Sequence, residues 1–141
     1  MERIFRGKTP SQDEHFDDGQ WVEGYYICFN GKEHRIYSGY AETDCGDYYA
    51  DWFNVRPETV GQYTGLTDKN GKKVFEGDLL EWIDRIVAVV WFDFNAQFDS
   101  KFIRYCNDKI VTNFKGIEPS DWHECKVIGN VFDNPELLEV K

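Results

Sequence analysis

Two carboxylates flank a glycine at Glu76-Gly77-Asp78, and a hydroxyl pair, Tyr63-Thr64, stands just upstream of a third carboxylate, Asp68. Paired carboxylates can run general acid–base chemistry or hold a cation. A hydroxyl becomes a nucleophile only beside a base, and neither Tyr63 nor Thr64 has one placed to take its proton. In a turn that opens a strand, Asp78 has a simpler use: accepting backbone N–H bonds that fix the bend. That is the expectation for it. The acids Glu42, Asp44, Asp47 and Asp51 lack the alternating order of a calcium loop and read as a solvated segment. Gly61 and Gly65 lack the lysine and helix start that a phosphate cradle needs.

The soft ligands are no better placed. Cys28, Cys45, Cys106 and Cys125 form no Cys-x-x-Cys pair, whereas a zinc site draws two ligands from one tight turn. His15, His34 and His123 stand at no ligand spacing from any cysteine. The nearest pair, His123 and Cys125, is expected on one face of a strand. Free, reduced thiols follow, and disulfides are not expected in the cytosol. The residues therefore point to no catalytic, cofactor or metal site.

Of the 141 residues, 26 are acidic and 16 basic, a net charge of -10. Residues 1–60 carry twelve acids and six bases, residues 61–141 fourteen and ten. Both halves repel phosphate, which disfavours nucleic acid unless Lys69, Lys72 and Lys73 join Arg85 or Lys101 in one patch. The same acidity suits solubility, or mimicry of a nucleic-acid surface. Met1-Glu2-Arg3-Ile4-Phe5-Arg6 has no apolar stretch of the signal-peptide kind, and no run is long enough to span a membrane. A cytoplasmic protein is expected.

Aromatic residues make up 17% of the chain, with one methionine and few leucines. Aromatic and β-branched side chains suit pleated surfaces, which favours β structure. Strands are read at 20–29, 34–40, 48–55, 60–63, 77–83, 86–92, 98–105, 110–114 and 124–132, with an extended segment over 1–8. Asn30-Gly31 and Asn70-Gly71 are hairpin signals, because both residue types accept positive φ. Asp84-Arg85 separates the two most apolar strands, which form either a tight hairpin or one bent strand. Arg56-Pro57-Glu58-Thr59 and Pro135 to Leu138 read as short helical turns. The spacing describes a mainly β, antiparallel protein with two packed β subregions, 1–60 and 61–141, the second suited to an SH3-like barrel. Trp82 and Trp91 flank the central hairpin, with Trp21, Trp52 and Trp122 elsewhere. Aromatic platforms can stack bases or dock peptides, but with so few leucines most are expected in the core.

One block is distinctive: Pro57-Glu58-Thr59-Val60-Gly61-Gln62-Tyr63-Thr64-Gly65-Leu66-Thr67-Asp68-Lys69-Asn70-Gly71-Lys72, followed by Glu76-Gly77-Asp78. With Arg3-Ile4-Phe5-Arg6-Gly7-Lys8, Gly19 to Tyr25 and Val127 to Leu138, it resembles the YopX family of phage and prophage proteins. The resemblance runs over nearly the whole chain as a single domain, 1–141. It implies a mainly β protein with a C-terminal SH3-like element and a tendency to oligomerise, and it implies no activity. The expectation is a non-enzymatic accessory that self-assembles or binds a host or phage protein in the bacterial cytoplasm. Alternatives are a nucleic-acid-associated protein, an acidic mimic, or an enzyme whose site is assembled from distant strands.

Overall fold

A computed structural model describes residues 3–10, 19–42, 48–105 and 116–138, with the backbone alone for 39–42 and 48–51. The protein is mainly β, and every strand pair among the described residues is antiparallel. Two packed units divide between Gln62 and Tyr63.

In the first unit the strands are β1 (Phe5–Lys8), β2 (Trp21–Phe29), β3 (Glu33–Glu42) and β4 (Tyr48–Asn54). They lie in the order β4-β3-β2-β1, and the start of β5 (Gly61–Thr67) pairs with β1. The Asn30-Gly31 signal holds: both residues adopt positive φ, 54° and 66°, where β2 turns into β3. Pro57–Thr59 is a 3₁₀ turn with proline in its first turn. Thr59 ties it down, its hydroxyl donating to the Arg56 carbonyl and accepting the Lys8 N–H at 2.8 Å. Among the described residues of this unit, the buried aliphatic side chains are Ile36 and Val55.

The second unit centres on a four-stranded sheet, in order β10-β7-β8-β9. Its strands are β7 (Asp78–Trp82), β8 (Arg85–Phe92), β9 (Gln97–Tyr105) and β10 (Lys126–Asn130). β8 reads Arg-Ile-Val-Ala-Val-Val-Trp-Phe without alternation because both faces of the sheet are covered. On one face Leu80, Val87 and Val89 pack with Val74, Ile117, Trp122, Cys125 and Val127. On the other, Leu79, Ile86 and Ala88 pack with Ile103, Ile128, Val131, Leu137 and Leu138. A 3₁₀ helix, Pro119–Glu124, carries Trp122 into the first cluster, and a 3₁₀ turn, Pro135–Leu138, carries the leucines to the second. Trp122 is fully buried and its indole N–H donates to the Ile117 carbonyl at 2.9 Å.

Several expectations change. β7 and β8 form a tight hairpin, with Trp82 already paired to Arg85 and Ile83-Asp84 as the loop. β5 runs on to Thr67 and meets a short strand, β6 (Lys73–Phe75), where only turns were expected. β3 extends to Glu42, into the expected acidic loop. No closed barrel forms among the described residues, because the ladder of the second unit ends at β10 and β9. The expected strand at 110–114 lies outside the described residues. Among those described, no helix is long and apolar enough to cross a membrane.

Candidate interaction face and signature turns

The carboxylates singled out by the sequence are committed to the backbone. Asp68 is buried, and its Oδ1 accepts the N–H groups of Asn70 and Lys72 at 2.8 and 2.9 Å. Its Oδ2 accepts the Val127 N–H at 3.0 Å, tying the β5–β6 turn to β10. Burial pushes the Asp68 carboxyl upward, but these three N–H donors and the nearby Lys72 charge outweigh it and hold the group below its ordinary value of 3.8. Asp78 is buried too, and its Oδ2 accepts the Phe75 N–H at 2.8 Å, the bend-fixing role expected for it. Its neighbour Glu76 is half-buried, and burial raises its pKa. The Thr64 hydroxyl donates to the Val74 carbonyl at 2.8 Å rather than to Asp68.

Glycine is required where these turns are tightest. Gly71 and Gly77 hold φ of 78° and 92°, the left-handed region that L side chains avoid. Gly77 is also gripped on both sides, its N–H donating to the Val89 carbonyl and its carbonyl accepting the Val131 N–H. The C-terminal signature is a knot of asparagines. Asn130 Oδ1 accepts the N–H groups of Phe132 and Asp133, and Asn134 Oδ1 accepts the Asn130 N–H at 3.1 Å. A side chain at Gly129 would sit 2.2 Å from that Asn134 oxygen.

Other candidates are scattered. Asp44, Asp47, His15, Cys45 and Cys106 lie outside the described residues. Glu42 and Asp51 stand on β3 and β4. His123 is exposed in the 3₁₀ helix and Cys125 is buried just beyond it. The two therefore do not share a strand face, because the chain before β10 is helical rather than extended. Burial first, then the charges of Asp121, Glu124 and Asp68, push the Cys125 thiol up to about 12. Among the described residues, no three metal-binding side chains converge. Lys69, Lys72 and Lys73 are exposed, while Arg85 is paired with Asp84 at 2.9 Å.

A different feature stands out on the first unit. Side chains alternate along a strand, so Tyr25, Ile27 and Phe29 share one face of β2. Across from them on β3 are Tyr37, Arg35 and Glu33, and Trp52 and Asn54 continue the rows on β4. Tyr25, Ile27, Phe29 and Trp52 are all exposed, Tyr25 by 56%. The Arg35 guanidinium lies 4.0 Å from the Trp52 ring centre and 4.9 Å from that of Phe29, and it pairs with Glu33 at 3.0 Å. Contiguous exposed apolar surface of this kind marks contact surfaces. Sequence could not single it out, because the opposite face of β2 carries Val22, Tyr26 and Cys28 and is almost as apolar. Of the five tryptophans, Trp122 is core, Trp21 and Trp82 are half-buried, and Trp52 and Trp91 are exposed.

The family model for the YopX protein matches residues 13–139, and the chain belongs to that family. Membership places it with phage-associated proteins of poorly defined function. The crystal structure of protein EF1440 from Enterococcus faecalis is similar over 99% of each chain, with a TM-score of 0.57 and 21% identity. That likeness concerns the fold alone. No curated protein matched.

Proposed function

We propose that the protein is a non-enzymatic, phage-derived accessory module that works by protein contact, first of all with a second copy of itself. The observation that carries this reading is the exposed face of Tyr25, Ile27, Phe29 and Trp52 around Arg35. Aromatic residues and arginine are the side chains that interfaces favour and hot spots use. Within this face Arg35 and Glu33 cancel, while the whole chain carries -10. Two copies meeting there avoid the repulsion that most other surfaces would impose. Under a two-fold axis, Glu33 of each copy can also meet Arg35 of the other.

The non-enzymatic part of the proposal rests on how the best acid–base candidates are used. Asp68, Asp78 and Thr64 each hold backbone groups in place. A group holding a turn is poorly placed to exchange protons with a substrate.

Light scattering coupled to size exclusion tests the reading. At tens of micromolar the chain should elute as a dimer or larger, and Trp52→Ala and Glu33→Arg should each shift it to monomer while circular dichroism shows the β fold retained. A monomeric wild type, or variants that stay associated, would overturn it.

A further inference from the structure

The tripeptide Asn-Gly-Lys occurs twice, as Asn30-Gly31-Lys32 and as Asn70-Gly71-Lys72. Both copies are exposed throughout, and their glycines hold positive φ, 66° and 78°. Space does not separate them either, since nothing lies within 4 Å of the point a Cβ would occupy at Gly31 or Gly71. Their backbones differ. In the second copy every N–H group donates to Asp68: those of Asn70 and Lys72 to its carboxylate at 2.8 and 2.9 Å, that of Gly71 to its carbonyl at 3.0 Å. In the first copy the Lys32 N–H donates to the Phe29 carbonyl at 3.0 Å, and among the described residues the Asn30 and Gly31 N–H groups have no such acceptor.

We infer that Asn30 is a site of spontaneous side-chain amide loss, converting slowly to aspartate and isoaspartate, while Asp68 shields the same tripeptide at Asn70. The only co-reactant is water. The Gly31 nitrogen gives its proton to a solvent base and attacks Asn30 Cγ. A C–N bond forms, and the side-chain nitrogen leaves as ammonia after taking a proton from solvent. Water then opens the resulting cyclic imide. Attack at Cγ restores the ordinary backbone with an aspartate, and attack at the backbone carbonyl leaves the chain running through Cγ as isoaspartate. One amide and one water become one carboxylic acid and one ammonia.

Ring closure requires the Asn–Gly peptide to rotate out of its turn and the glycine nitrogen to lose its proton. At Asn30 the rotation gives up the Lys32 bond, at the end of a hairpin whose ladder closes at Phe29 and Glu33. At Asn70 it gives up the bonds to Asp68, and the Gly71 N–H is itself engaged. The Asp68 carboxylate also opposes negative charge on the Gly71 nitrogen. The product at Asn30 adds a carboxylate beside Phe29 and, as isoaspartate, an extra backbone carbon in the turn between β2 and β3.

The test is the conversion rate of each asparagine in the folded wild type, held in neutral buffer at physiological temperature and sampled over weeks. Peptide mass spectrometry reads the change from amide to acid, and enzymatic methylation of the isoaspartyl carboxylate reads the isomer. Asn30 should convert at least about tenfold faster than Asn70 in the folded chain. In the guanidinium-unfolded chain the two rates should come together, because the tripeptide is the same. Asp68→Ala should speed Asn70 by about tenfold and leave Asn30 unchanged, with circular dichroism confirming the fold. If that variant does not fold, the wild-type ratio decides alone. Equal rates in the folded chain, no conversion at Asn30, or a ratio that persists after unfolding would overturn the inference.

Discussion

Asp68 and Val127 are separated by 59 positions, yet the Asp68 carboxylate accepts the Val127 N–H at 3.0 Å while holding its own turn with its other oxygen. This one side chain links the two most distinctive segments of the sequence, the Gly61–Asp78 block and the Val127–Leu138 tail. Its removal strands three backbone donors at once, so Asp68→Ala should destabilise the chain by about 3 kcal/mol. Asp68→Asn keeps an acceptor and should cost less. Urea unfolding of the three proteins side by side checks the order.

The same carboxylate sets a pH response. Its folded value lies below the ordinary 3.8, so the stability it contributes is present above that unfolded value and is lost as pH falls through the folded one. The urea midpoint of the wild type should therefore fall as pH drops below about 4, and Asp68→Asn should lack that component. Identical acid limbs for both proteins would show that other carboxylates control acid unfolding.

The two signature glycines of different kinds should behave differently. Gly71 is constrained only by its backbone, with open space for 4 Å around the point a Cβ would occupy, so Gly71→Ala should cost about 1 kcal/mol. Gly129 faces Asn134, whose amide oxygen would be 2.2 Å from the added carbon, and that oxygen already serves the Asn130 N–H. Gly129→Ala should cost about 2 kcal/mol or more, through loss of the asparagine knot. Equal melting temperatures for the two variants would contradict this assignment.

Much of this framework could be read from the residues. The Asn30-Gly31 turn, the bend-fixing role of Asp78 and the apolar pair β7 and β8 follow from turn chemistry and hydrophobic runs. What escaped has physical causes. β6 is three residues long, too short to show a period, and it exists because Asp68 closes the turn before it. The hairpin loop falls one residue early, at Ile83-Asp84, because Ile83 takes φ 50°, where a β-branched residue is not expected. The exposed face of β2–β4 was hidden because a strand apolar on both sides gives no sign of which side is covered.

Ile83 makes its own prediction. It is 82% exposed and gains little from burial, while its left-handed backbone is costly for a β-branched residue. Ile83→Gly should stabilise the second unit by about 1 kcal/mol, seen as a raised melting temperature. A lower one would mean that the isoleucine is held by contacts the turn geometry does not reveal.

Arg35 offers the sharpest check on the first unit. Its guanidinium is stacked on Trp52 and Phe29, and a planar cation in that position is not replaceable by the compact ammonium of lysine. The stacking with Trp52 should appear as a coupling of about 0.5–1 kcal/mol in a double-mutant cycle of Arg35→Ala and Trp52→Ala. The cycle belongs at low concentration, where self-association cannot contribute, because Trp52 also serves the proposed contact. Arg35→Lys should lose most of that coupling although its charge is unchanged. A lysine variant as stable as wild type would show that Arg35 acts by charge alone, through Glu33, and that the aromatic frame around it forms without the cation.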